Sequence, residues 1–115
     1  MTRTGYIYVL SIPELPGFIK IGRAKDLYAR LKKLQTSLPV TYKIEHYQLV
    51  NNMFTMETAL HNYYRNILML NANGMMEWYK TKYFGSKKRF VEDVKNRMKF
   101  LLREDGWEEV IGKLY

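Results

Sequence analysis

Residues 5–22 constrain the fold of this chain more than any other stretch. Gly5-Tyr6-Ile7-Tyr8-Val9-Leu10-Ser11 and Phe18-Ile19-Lys20-Ile21-Gly22 are rich in β-branched and aromatic residues, which predicts a strand for each. Between them Pro13, Pro16 and Gly17 break the chain. So short a connection joins only antiparallel neighbours, because a parallel crossover needs about a dozen residues or more. With Ser11 opposite Gly17, Tyr8 faces Lys20 and Tyr6 faces Gly22. Side chains alternate across a strand, so Tyr6, Tyr8 and Lys20 share one face, and Ile7, Val9, Ile19 and Ile21 share a core-like one. A one-residue slip would destroy that sorting.

Helical signals follow the hairpin. Asp26 is a plausible N-cap for a helix to about Thr36, with Leu27, Leu31 and Leu34 as its buried stripe. Pro39 ends the next connection, and Tyr42 to Val50 alternates as a third strand. A second helix is predicted over Met53–Leu68, with Met56, Leu60, Tyr63 and Ile67 inward. Asn71, Asn73 and Gly74 predict a loop, and Glu77-Trp78-Tyr79 a short extended segment or turn, with Trp78 as a core anchor. A third helix begins near Ser86, with Phe90, Val91, Val94, Met98, Leu101 and Leu102 on one stripe. Gly106 breaks it, and Trp107–Leu114 predicts a short terminal helix. The order β-β-α-β-α-α predicts an α+β domain: a small antiparallel three-stranded sheet flanked by helices.

At 115 residues and 47% hydrophobic, the chain has the size and apolar content of one folded domain, residues 1–115. It has no cysteine, which excludes disulfides and thiolate chemistry and suits an intracellular compartment. No signal pattern opens the sequence, and no apolar run approaches the roughly 18 residues of a membrane span, so no membrane partner is expected. Nineteen Lys and Arg against 11 Asp and Glu give a net charge of +8, which attracts polyanions and favours nucleic acid as partner. The sequence carries no signal for a small-molecule cofactor or for an oligomeric state.

The motifs narrow this further. Tyr6-Ile7-Tyr8, then Lys20-Ile21-Gly22, then Arg30 eight residues on, resemble the opening of a GIY-YIG endonuclease. Arg30-Leu31-Lys32-Lys33-Leu34-Gln35-Thr36-Ser37, Glu57-Thr58-Ala59-Leu60-His61 and Glu77-Trp78-Tyr79 are similar to the branch typified by the T5 Orf172 domain. The resemblance covers about residues 5–80 and leaves 81–115 as a helical C-terminal extension. Tyr6 replaces the first glycine of the family triplet, and Lys20 replaces the tyrosine of the second; active family members with lysine there exist.

The resemblance implies metal-dependent hydrolysis of DNA phosphodiesters by in-line attack of water, with Mg²⁺ or Mn²⁺ as cofactor. Such a site needs a base, a cation on the phosphate and a metal at the leaving oxygen. Tyr8 is the preferred base or base relay, although its pattern also fits a half-buried strand aromatic. A phenol needs a lowered pKa to act near neutrality, and Lys20 opposite it would supply the charge. Lys20 could itself be the base, or bind phosphate. Arg30, at the border of its helix's apolar stripe, suits bidentate phosphate contact; a solvated helix arginine is the plainer reading. Glu57 follows inward-facing Met56, so its carboxylate reaches a protein-lined pocket, and one carboxylate is enough for Mg²⁺. His61, four residues on, shares its helical face and could orient Glu57, touch DNA or donate from behind it. A metal ligand there is not expected, because a zinc site needs a third ligand. His46 is read as structural, and Glu77 as bonding to backbone.

Arg23, Lys25, Lys32, Lys33 and Arg65 are candidates for flanking phosphates, contacts that position DNA without reading its sequence. Lys87, Lys88 and Arg89 form a second cluster at the start of the third helix. The helix dipole disfavours cations there, which hints at phosphate binding; a solvated charge run fits equally.

Overall fold

The hairpin forms the centre of the sheet. The computed structural model describes residues 3–37, 40–68 and 78–104. Strand β1 (Gly5–Ser11) pairs antiparallel with β2 (Phe18–Ala24). Strand β3 (Lys43–Val50) joins the free side of β1, and β4 (Trp78–Lys80) joins β2, giving the order β3-β1-β2-β4. Among the described residues the sheet therefore has four strands and not three, all antiparallel. Three residues of β4 offer too little pattern to distinguish a strand from a turn before its partner is known.

The pairing of β1 with β2 sits two residues from the expected register. Tyr8 lies opposite Gly22, Leu10 opposite Lys20, Tyr6 opposite Ala24 and Ser11 opposite Ile19. A two-residue shift leaves every side chain on its face, so hydrophobic patterning cannot detect it. The loop is longer than expected because it holds a turn closed by Leu15 N–H donating to the Ile12 carbonyl (2.9 Å) and then Gly17 at φ 93°.

The two faces carry different helices. Ile7, Val9, Ile19 and Ile21 face a main core built with Met56, Leu60 and Tyr64 from α2 (Met53–Leu68) and Phe90, Val94 and Met98 from α3 (Lys87–Glu104). Tyr8, Leu10 and Ala24 face the other side, against Leu27, Leu31 and Leu34 of α1 (Leu27–Ser37). That α1 stripe is half-buried; among the described residues α1 is the one helix on this face of the sheet.

Local chemistry sets the helix starts. Asp26 Oδ1 accepts from Ala29 N–H at 3.0 Å, as expected of an N-cap; Asn52 does the same for Thr55 at 3.1 Å and Ser86 for Arg89 at 3.2 Å. In α2 the deepest aromatic is Tyr64, fully buried, with its hydroxyl donating to Asp93 at 2.7 Å; Tyr63 is only half-buried beside it. The α3 stripe is as expected, with Leu101 at its border. A 3-10 turn, Thr81–Phe84, links β4 to α3. Pro39, the Asn71–Gly74 loop, Glu77, the Gly106 break and the Trp107–Leu114 helix lie outside the described residues, as does the Ile67 side chain. Among the described residues no helix is long and apolar enough to cross a membrane.

Candidate active site

The second half of β2 organises the candidate residues, because its successive side chains serve opposite faces. Lys20, Gly22 and Ala24 point toward α1, together with Tyr8. Arg23 points toward α2. Gly22 is required by the first group: a Cβ there would fall within 2.5 Å of Cζ of the Tyr8 phenol. The phenol end of the ring lies against Gly22, and Tyr8 is 2% exposed. Lys20 is the next residue along the same face and not the direct partner of Tyr8; its Nζ sits 5.6 Å from the centroid of the Trp78 ring. Tyr6 lies further along β1, half-buried, with its ring 6.1 Å from that of Tyr47.

On the α2 side the residues touch one another. Glu57 is 6% exposed, as its place after Met56 predicts. Arg23 Nη1 donates to Glu57 Oε1, and the guanidinium lies over the Phe54 ring at 4.5 Å. His61 Nε2 stands 3.6 Å from Glu57 Oε2, too long for a hydrogen bond, and has no hydrogen-bond partner although the atom is buried. The other ring nitrogen, Nδ1, is bonded to the Tyr79 hydroxyl, and the two rings stack with centroids 5.6 Å apart. Burial alone would push the Glu57 carboxyl up; the neighbouring His61 and Arg23 outweigh it and hold the group below the usual carboxylate range. The result is a buried, ionised carboxylate, gripped by a guanidinium on one oxygen and faced by an imidazole on the other.

Arg30 is exposed on α1. It lines a shallow depression with Lys25, Lys33 and Ala24, the last residue of β2. Tyr8, Lys20 and Arg30 thus belong to the α1 face, whereas Arg23, Glu57, His61 and Tyr79 belong to the α2 face. The single centre expected from the motifs is built in two halves, joined through the Gly22–Arg23 step.

The basic residues divide similarly. Lys25, Lys32, Lys33, Arg65, Lys88 and Arg89 are exposed. Lys87 pairs with Glu45 of β3 at 2.9 Å, and Ser11 Oγ donates to the same carboxylate at 2.5 Å. One member of the α3 cluster is therefore a tie between helix and sheet. His46, read as structural, lies 3.3 Å from Gln48 on its own strand.

Two contacts had no signal in the sequence. The Arg23–Glu57 pair joins residues 34 apart, and nothing local marks it. Tyr79 carried no role of its own in the Glu77-Trp78-Tyr79 segment; strand pairing of β4 brings its hydroxyl to His61.

A metal at Glu57 is compatible with these residues. Mg²⁺ or Mn²⁺ takes one or two carboxylates and completes its shell with water and phosphate oxygens, and the orphaned His61 Nε2 leaves polar capacity beside the carboxylate. Arg23 must yield Oε1 for a cation to bind there. Among the described residues no three of His, Cys, Asp and Glu gather, so a closed protein cage of zinc type is not formed by them.

An antiparallel sheet clasped between one helix and a helix pair, with a basic surface and an ionised carboxylate under an arginine, makes a small α+β domain. The T5orf172 domain matches residues 5–101, and the chain belongs to that family, which is related to GIY-YIG-like nuclease domains. The match runs through most of α3. No curated protein and no solved structure matches the chain.

Proposed function

We propose that this T5orf172 domain is a divalent-metal-dependent DNA endonuclease that hydrolyses phosphodiester bonds by in-line attack of water. The observation that carries this is Glu57: a carboxylate buried to 6% exposure yet held ionised. A buried charge is costly unless something uses or balances it, and here it lies in a family related to nucleases.

In this mechanism the water oxygen bonds to phosphorus as the bond to the leaving sugar oxygen breaks. Tyr8, or Lys20 beside it, takes the proton released by the water. Arg30 holds non-bridging phosphate oxygens and stabilises their added charge. Glu57 would hold the divalent metal, which would supply positive charge at the leaving oxygen. Arg23, displaced from Glu57, has a phosphate as its natural next partner, since a guanidinium accepts either anion with similar geometry. His61, kept in place by Tyr79, orients the Glu57 carboxylate from behind.

One observation favours a second function, DNA binding without cleavage: Tyr8 and Glu57 lie on opposite faces of the sheet. Nicking of supercoiled plasmid with Mg²⁺, with Mn²⁺ and with EDTA separates the two. Metal-dependent nicking that disappears in Glu57→Ala is the expected result. Equal DNA binding by both proteins with no cleavage by either, over varied substrates, would identify the binding module instead.

A further inference from the structure

We propose that the groove between α1 and edge strand β3 binds unpaired nucleobases, so that the preferred substrate carries single-stranded nucleotides next to the cleaved bond. This rests on the DNA-directed function proposed above and specifies its substrate class.

The groove is an open depression of about 730 Å³ whose walls include Tyr6, Tyr28, Leu31, Ile44 and Tyr47. Two of its tyrosines are unusually open: Tyr28 is 76% exposed and Tyr47 55%. Neither ring belongs to the hydrophobic cluster on this face or to the one on the other. Large exposed aromatic and aliphatic surface grouped in one concavity marks a binding site.

Charge identifies the occupant. Lys25 stands in the wall of this groove and also in the depression that holds Arg30 and Lys33. Lys32 is one helical turn from Tyr28 and on the same side of α1. Asp26, the one acid among the described residues of the wall, engages Oδ1 in capping Ala29. Aromatic faces with cations running beside them suit a ligand that alternates flat bases with phosphates. Single-stranded nucleic acid is recognised in that way, by stacking on aromatics within a positive groove. A duplex presents phosphates but keeps its base faces stacked internally, so it satisfies the cations alone. The groove also adjoins the candidate chemistry: Tyr47 is the cross-strand partner of Tyr8, so a base at Tyr47 sits on the strand next to that residue.

The test is fluorescence anisotropy in EDTA, with a roughly 12-nucleotide oligothymidine and a duplex of the same length. Wild type is compared with Tyr28→Ala/Tyr47→Ala and with Tyr28→Phe/Tyr47→Phe. The alanine pair should lose about 10- to 100-fold in affinity for the single strand, the stacking of one or two bases. Duplex affinity should change by less than about twofold, since phosphate contacts remain, and this also reports that the variant is folded. The phenylalanine pair should stay close to wild type. Unchanged single-strand affinity in the alanine pair, or equal loss on both ligands, would overturn the proposal while leaving DNA binding intact. Failure of wild type to bind either ligand would overturn the DNA-directed function itself. A dimer in sedimentation that the alanine pair abolishes, with DNA affinity unchanged, would make the groove an interface between copies.

Discussion

The Tyr8 phenol lies directly over Gly22, the residue opposite it in the hairpin, and occupies the space that any side chain at 22 would need. A strand glycine that admits a neighbouring ring ties a motif glycine to a motif tyrosine. Gly22→Ala must therefore push the ring aside. Overpacking of this kind typically costs about 1–3 kcal/mol, and the displaced hydroxyl should also abolish nicking. Urea melts and plasmid nicking on the same preparation check both; a variant of wild-type stability and activity would mean that the ring moves without consequence.

Arg30 separates stability from activity. It is exposed and outside both core clusters, so Arg30→Ala should change stability by no more than about 0.5 kcal/mol. Loss of one charged donor to a transition state typically costs about 10²- to 10³-fold in rate. Single-turnover cleavage beside a thermal melt makes the comparison. A rate within about threefold of wild type would remove Arg30 from the mechanism.

Acid should weaken the fold through identifiable groups. The carboxyls of Glu57 and Glu45 are both held below their ordinary value: burial raises each, and is outweighed for Glu57 by His61 and Arg23, and for Glu45 by Ser11 and Lys87. A carboxyl depressed in the folded state adds stability that is complete above its unfolded value of 4.5 and is lost as pH falls through the folded value. His46 is depressed chiefly by burial from 6.5, so the unfolded chain takes up its proton first and stability begins to fall below that pH. Denaturant unfolding from pH 7.5 to 3 should show a monotonic decline. In Glu57→Gln the lower-pH part of the decline should be shallower.

Tyr79 holds His61 through Nδ1. A phenol donating there leaves the proton of a neutral ring on Nε2, the nitrogen that faces Glu57. Tyr79→Phe keeps the stacked ring and removes only the hydroxyl, leaving a buried ring nitrogen unpaired at a cost of about 1–3 kcal/mol. Imidazole ¹⁵N shifts should then move from a single tautomer toward a mixture. An unchanged tautomer would show that Glu57 alone sets it.

Much of the architecture was legible before any coordinates. Alternation in β1 and β2 identifies the buried face, and the spacing of Leu27, Leu31 and Leu34, or of Phe90, Val94 and Met98, identifies what each helix buries. Asp26 and Ser86 mark helix starts by their own side-chain oxygens. These are local properties, determined by periodicity and by bonds spanning three or four residues. Strand β4 and the hairpin register were not legible, because three residues carry no period and a two-residue shift conserves every face.

The sequence by itself thus determined the family, the α+β class, the sorting of Tyr8 and Lys20 onto the face opposite Ile7 and Ile21, and the burial of Glu57 behind Met56. Tertiary structure alone decided which of these groups meet. It placed Arg23 on Glu57 and Tyr79 on His61, gave Lys87 to Glu45, and set Tyr8 and Glu57 on opposite sides of one strand. Those outcomes depend on register, on strand order and on which helix covers which face. All three are settled by long-range packing, to which no local pattern along the chain is sensitive.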